Sequence, residues 1–231
     1  SAELVKISSE LSLENKNLSN VVYYYPLIEG VGNFLKIPTI KISDGDYKDI
    51  VRKGVTEFFD TYGTTVYANG TCAKLAIYCG QIAHLEENIY PIVSELISAR
   101  GLTPHTTILK YHGGNKEYSV SQEAATEFAS LDTNLSKIRV VLLAQIGKEG
   151  WDCKSLTSVI LPQKGACPQN MVLQTSCRCL RQVERDQQET ALIWLNEDNA
   201  KVLNKELAQQ QHTSIEALSK AKTTQLYYLQ R

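Results

Sequence analysis

Apolar residues follow two alternating rhythms along this chain. Short runs that are apolar almost throughout predict strands over 72–79 (CAKLAIYC), 105–111 (HTTILKY), 137–143 (KIRVVLL), 156–161 (LTSVIL) and 190–195 (TALIWL). Between them lie stretches with helical spacing. Residues 81–100 place Ile82, Leu85, Ile89, Val93, Leu96 and Ile97 on one side of a helix that Gly101 ends. Further helices are predicted over 116–131, over 168–180 with Pro168 in an allowed first-turn position, and over 196–218. Strands that are apolar on both sides, separated by helices, predict an α/β fold with a parallel sheet covered on both faces. Its crossovers should be right-handed, and ligands should sit beyond the carboxyl ends of the strands.

The first 70 residues read differently. Residues 8–20 are polar, and 21–25 and 34–42 are short extended pieces. Residues 47–62 predict a helix with Ile50, Val51, Val55, Phe58 and Phe59 as its apolar stripe, followed by the turn-rich 61–70. The expected organisation is an N-terminal arm or linker over 1–70, an α/β lobe over 71–220 and a tail over 221–231. No internal repeat or low-complexity tract interrupts it.

Composition narrows the class. Of 231 residues, 43% are hydrophobic and 21% charged, which predicts a folded globular chain. The net charge of −1 excludes a uniformly basic coat for nucleic acid but leaves room for a local basic site. No apolar run approaches the roughly 20 residues needed to span a bilayer. No basic-then-apolar leader opens the chain. No membrane association and a cytoplasmic location are therefore expected, with the six scattered cysteines reduced. Cys177 and Cys179 lack a second close Cys/His pair, so no metal site is expected. The opening Ser1-Ala2 suggests a piece of a longer protein.

Several chemistries are missing. The sequence holds no GxxxxGK[ST] phosphate loop, no GxGxxG after a strand, no GxSxG elbow and no HExxH. Two segments stand out instead. Residues 143–153 (LAQIGKEGWDC) carry Gly147 and Gly150 after a strand, where backbone N–H groups can approach an anion, and Asp152, which can accept hydrogen bonds from hydroxyls. Alone, this loop reads first as a plain turn, with Trp151 as core packing. Residues 174–181 (QTSCRCLR) place Arg178 and Arg181 three apart on one helical face. Arginine at fixed spacing suits bidentate phosphate recognition, although two such residues also make an ordinary solvated face.

Together and in this order, x-x-EG-W-D and QxxxRxxR resemble the last two motifs of superfamily 2 helicases and translocases. KLAIYCGQIAHLEE is similar to the strand and helix that open the second RecA-like lobe in that family. ILKYHGG resembles the lobe's His-Gly turn. The arm YYYPLIEGVGNFLKIPTI and ALIWLNEDNAKVLNKELAQ resemble the restriction subunit of type III restriction–modification enzymes. The resemblance covers about residues 21–215. It implies a RecA-like C-terminal helicase lobe with an N-terminal arm, acting in an ATP-dependent DNA helicase or translocase.

Further expectations follow from the resemblance alone. Arg181 and Arg178 would act as arginine fingers on the γ-phosphate. Gly150, Asp152 and Gln174 would line the ATP cleft, with Asp152 on the ribose. Gly80, Gln81, His112, Gly113 and Gln145 would contact nucleic-acid phosphates. ATP with Mg2+ would be held mainly by an N-terminal RecA-like lobe of the same chain, so this segment alone would not hydrolyse ATP. DNA is the implied partner, with RNA open, and a methyltransferase (modification) subunit a further one. Two positions depart from the family pattern: Cys177 replaces the usual motif glycine, and Ala144 or Gln145 replaces a hydroxyl residue. These keep a second expectation open, a non-catalytic RecA-like module that binds nucleic acid or protein.

Overall fold

The structure is a computed structural model that describes residues 25–119, 121–145, 151–168, 171–184 and 187–221. Its centre is a six-stranded sheet: β1 (Ile37–Ser43), β2 (Lys74–Gly80), β3 (Ile108–His112), β4 (Val140–Ala144), β5 (Leu156–Leu161) and β6 (Thr190–Asn196). The strand order is β1-β6-β5-β2-β4-β3, and every pairing is parallel. The helices are α1 (Leu27–Gly30), α2 (Tyr47–Tyr62), α3 (Ile82–His84), α4 (Tyr90–Ala99), α5 (Pro104–Thr107), α6 (Ala124–Ala129), α7 (Val172–Ser176), α8 (Glu197–Gln211) and α9 (Ile215–Lys220). A π-helical turn, Leu85–Ile89, joins α3 to α4.

Alternation along the strands explains the two-sided core. Leu75, Ile77 and Cys79 of β2, with Val140 and Leu142 of β4, join one apolar cluster with α2 and α4. Ala76, Tyr78, Val141 and Leu143 face the other way, into a cluster with α7, α8 and α9. Both faces are buried, which is why these strands read as continuous apolar runs. The expected fold class is therefore the observed one. Among the described residues, no helix is long and apolar enough to cross a membrane.

Residues 37–62, assigned from the sequence to an arm, add a strand to the sheet and a helix packed on it. β1 is an edge strand paired with β6 from Ile37↔Thr190 to Ser43↔Asn196. α2 begins where the Asp46 side chain accepts from the Asp49 N–H, a good N-cap, and buries Ile50, Val51, Val55, Phe58 and Phe59. Three helices differ from expectation. The stretch 116–131 is helical only over Ala124–Ala129, because the Asn115 side chain accepts from the Glu117 and Tyr118 N–H groups and holds a turn instead. The helix expected over 168–180 shortens to α7 and a 3₁₀ turn, Cys177–Leu180. The one over 196–218 divides at His212, whose φ of 50° is left-handed, and Ser214 caps α9 by accepting from Ala217 N–H. The segments 1–24 and 222–231 lie outside the described residues.

Asp132 ties the start of β5 to the loop before β4. Its carboxylate accepts from Lys154 N–H (2.7 Å), Ser155 N–H (2.9 Å), the Ser155 hydroxyl and the Cys153 thiol. Partial burial raises its pKa, but these bonds outweigh that and hold it below the ordinary aspartate value. A depressed carboxylate adds stability above its unfolded pKa and loses it as pH falls through the folded one. Asp132→Asn faces Lys154 N–H with a second donor. It should cost about 2 kcal/mol at neutral pH by urea unfolding. The gap to wild type should narrow as pH drops below 3.8. A gap that is constant down to acid pH would refute the assignment.

Candidate functional site

The chain leaves β5, runs back along α7 and tightens at Cys177 into the 3₁₀ turn. That return carries Arg181 to the amino ends of β6 and β1. The Lys36 N–H donates to Leu180 O at 2.6 Å, Leu35 bridges Arg181, and Ile37 N–H donates to Glu189 O at 2.9 Å. The loop that follows β4 arrives at the same place. Arg181 forms an ion pair with Asp152, the two side chains 53% and 54% exposed. Arg178 Nη1 donates to Trp151 O at 2.6 Å. The two segments singled out by their sequence are thus joined by one ion pair and one charge-assisted hydrogen bond.

Trp151 is half-buried. Its ring lies 5.0 Å from Phe128, which stacks on Tyr111 at 3.8 Å, so the indole packs into the core beside the loop. Gln174 is exposed on α7, one turn before Arg178. Gly147 and Gly150 lie outside the described residues. Chemically, this edge presents a permanently charged planar donor and a carboxylate in partial contact with water. A guanidinium can meet phosphate oxygens and a carboxylate can accept from hydroxyls, so the pair fits a nucleotide. Most of a triphosphate and its metal would need donors from elsewhere. Among the described residues, no group of three or more His, Cys, Asp or Glu side chains could hold a metal ion.

The remaining expected residues sit at the opposite, carboxyl edge, on three adjacent strands. Gly80 ends β2 with φ of 75°, and a Cβ there would lie 2.8 Å from Gly165 O, so only glycine fits. Gln81 follows, exposed, at the N-cap of α3 without a side-chain cap, so early helical N–H groups are left without a capping oxygen. Gln145, just past β4, is exposed with φ of 60°, an uncommon conformation for a side-chain-bearing residue. After β3 come His112 and Gly113. Gly113 is exposed, but His112 is 3% exposed and committed inward. Its Nδ1 accepts from Gly114 N–H at 3.1 Å, which leaves Nε2 as the donor to Glu86 Oε1 at 3.1 Å. Lys110 meets the other oxygen of Glu86 at 2.7 Å. The imidazole therefore braces the turn from behind, with Gly113 left exposed.

Four polar groups that shape these edges carried no sequence signal: Lys36, which is buried, and the half-buried Asp132, Arg139 and Glu189. Each sits in an unremarkable run of residues, and only long-range contacts reveal it.

No protein-family model and no curated protein matches this chain. Solved structures do. Domain 2 of the DEAD-box helicase Mss116p, bound to an RNA duplex, matches with a TM-score of 0.50 at 10% identity, over 78% of this chain and 61% of that one. A fragment structure assigned to an HsdR subunit of a type I restriction enzyme from Vibrio vulnificus YJ016 matches with a TM-score of 0.57 at 16% identity, over 85% of this chain and 38% of that one. The match therefore spans less than two-thirds of either neighbour. At such identities the likeness is one of fold: an α/β RecA-like fold shared with these two neighbours.

Proposed function

We propose that this chain is the second motor lobe of a DNA-dependent ATPase, acting in the restriction subunit of a type III restriction enzyme. The observation that carries the reading is the Arg181–Asp152 pair with Arg178 on Trp151 O. It gathers the residues of both motif-like segments on one edge. With ATP seated on a partner lobe, Arg181 leaves Asp152 and approaches the γ-phosphate. Its charge neutralises the oxygens of the phosphoryl-transfer transition state, an effect of about 10³–10⁵ in rate. Asp152 is then free to accept from the ribose hydroxyls. Arg178 stays on Trp151 O and keeps the helix in register, and Gln174 lies toward the phosphates.

The N-terminal RecA-like lobe of the same polypeptide supplies the phosphate loop and holds Mg2+ together with most of the ATP. ATP binds the closed lobe pair more tightly than the open one, so hydrolysis cycles the cleft. Nucleic-acid phosphates lie along the carboxyl edge, on Gly80, Gln81, the Gly113 turn and Gln145. These are backbone and uncharged contacts, which give positioning and not sequence readout. A modification subunit is the second protein partner. One structural neighbour, domain 2 of Mss116p, is bound to an RNA duplex, and that keeps RNA as an alternative substrate.

A second reading has a specific observation in its favour. Ala144 is buried and Gln145 takes the exposed strand-end place, so no hydroxyl is offered there. Cys177 also stands where the family carries glycine. A non-catalytic binding lobe would tolerate both.

ATP hydrolysis separates the readings. The isolated 231-residue chain should hydrolyse no ATP above background, and the full-length protein should hydrolyse it when duplex DNA is added. Hydrolysis by the isolated chain would sink the two-lobe assignment. A full-length protein silent on both DNA and RNA would leave the binding-lobe reading.

A further inference from the structure

Behind the Arg181–Asp152 pair lies one fully buried ammonium, that of Lys36, whose side chain is 0% exposed. It contacts both segments that build the site. Lys36 Nζ donates to Lys154 O at 3.3 Å and to Leu156 O at 3.0 Å, on the segment that leaves Asp152 and enters β5. The Lys36 backbone N–H donates to Leu180 O, one residue before Arg181. On its other side the ammonium lies 3.4 Å from a carboxylate oxygen of Glu189. The other oxygen of Glu189 accepts from Val183 N–H at 2.8 Å and Glu184 N–H at 2.7 Å, just after Arg181. Arg181 is therefore held at both flanks, and Asp152 from the carboxyl side of its loop, by groups that converge on a single charge.

A buried lysine is a costly way to fill this space. Burial lowers its pKa, opposed by the nearby Glu189 carboxylate. Apolar residues of similar volume in place of a buried pair are often neutral or stabilising, so a buried ammonium is weak evidence for a purely stabilising role. What Lys36 does supply is geometry. Its three partners are Lys154 O after Asp152, Leu156 O at the start of β5 and the Glu189 carboxylate just before β6, so one ammonium, itself next to β1, ties together the entries of three strands.

We propose that Lys36 is the positioning residue of the arginine site, fixing Arg181 against the Asp152 loop through its bonds to Lys154 O, Leu156 O and Glu189. This inference rests on the motor-lobe reading and deepens it. Lys36 touches no substrate. It acts by holding Arg181 within reach of the γ-phosphate, where a misplacement of about 1 Å can cost roughly 10² in rate.

The test is DNA-stimulated ATPase of the full-length protein. Lys36→Met keeps volume and removes the charge. It should lower kcat by about 10²-fold while the KM for ATP stays within about threefold, because the finger acts on the transition state and not on ground-state binding. In an Arg181→Ala background, Lys36→Met should add little, since the residue it positions is already gone. A purely structural role predicts the opposite, a loss that multiplies with that of Arg181→Ala. Unchanged kcat in Lys36→Met, or full multiplication in the double variant, overturns the proposal. If Lys36→Met melts below the assay temperature, Glu189→Gln replaces it. That change keeps an oxygen for Val183 and Glu184 and removes the charge facing Lys36. A fall in kcat of about tenfold with KM held is expected, and unchanged kcat overturns the proposal. A wild-type protein inactive on DNA and RNA overturns the motor reading and this inference together. An active wild type with indifferent Lys36 and Glu189 variants overturns this inference alone.

Discussion

Arg181→Ala in the full-length protein should lower DNA-stimulated ATP hydrolysis by about 10³-fold or more, with the folded state intact. The magnitude follows from the task. A guanidinium that meets the γ-phosphate only as charge develops there is worth about 10³–10⁵ in kcat. Stability should barely move. Arg181 and Asp152 are both more than half exposed, and ion pairs so exposed are usually worth less than about 1 kcal/mol. This contrast gives the test its force. A core residue loses activity by unfolding, whereas Arg181→Ala should melt like wild type and still be inactive. Arg181→Lys should recover little of the rate, because an ammonium lacks the planar fork that spans two phosphate oxygens. An Arg181→Ala enzyme within tenfold of wild type would place the finger elsewhere and invalidate the assignment of both motif-like segments. Arg178 predicts a different pattern. Its bond to Trp151 O is within the lobe, so its loss should disturb the loop as well as the rate.

Much of this architecture was legible from residue pattern, and what was not has a physical cause. β5 matches its predicted bounds, as does α2. β5 is buried from end to end and closed by Pro162, and α2 has an Asp46 cap and an uninterrupted apolar stripe. Competition between side chain and backbone misled the reading elsewhere. Asn115 turns the chain where helical spacing continues, and His212 takes a left-handed conformation inside an otherwise helical run. β1 was visible as an extended piece but not as part of the sheet. Its partner, β6, is about 150 residues away in the chain, and periodicity carries no pairing information. The boundary expected near residue 70 reflects that gap, since β1 and α2 bury their apolar sides in the same core as β2.

The candidate site divides along the same line. Arg178, Arg181 and Asp152 could be singled out from the sequence because motif order and spacing are local properties. The structure adds that they meet at the amino ends of β6 and β1, away from the carboxyl edge where parallel sheets commonly hold ligands. Only the Gly80, Gly113 and Gln145 turns lie at that edge. His112 was named as part of a strand-end turn, and the structure commits both of its ring nitrogens inward. Lys36 and Glu189 escaped notice because a lysine or glutamate in a mixed run is read as solvated. Burial of these two depends on β1 joining the sheet.

Arg139 supplies the largest expected stability effect. It lies in the run KIRVVLL and reads from the sequence as a polar strand residue. In the fold its guanidinium is shared by three backbone carbonyls. Nε donates to Ala73 O at 2.9 Å, Nη1 to Gly63 O at 3.0 Å and Nη2 to Tyr62 O at 2.9 Å. Two of these acceptors close the carboxyl end of α2, where a positive charge also complements the negative end of the helix dipole. The guanidinium carbon sits 5.9 Å and 5.7 Å from the ring centres of Phe58 and Phe59, adding cation–π contact. Arg139→Ala removes all of this at once and strands carbonyls that water reaches poorly. A loss of about 3–4 kcal/mol is expected, since hydrogen bonds from a charged donor are worth roughly 1.5–3 kcal/mol each and do not add fully. For a chain of this size that is a fall in Tm of about 10 °C. Arg139→Lys should recover less than half, because one ammonium cannot span acceptors on three separate residues. Urea unfolding of the three proteins decides it. A loss below about 1 kcal/mol in Arg139→Ala, or full recovery in Arg139→Lys, would mean that α2 is held by its apolar stripe alone and that the three carbonyls find water when the guanidinium is gone.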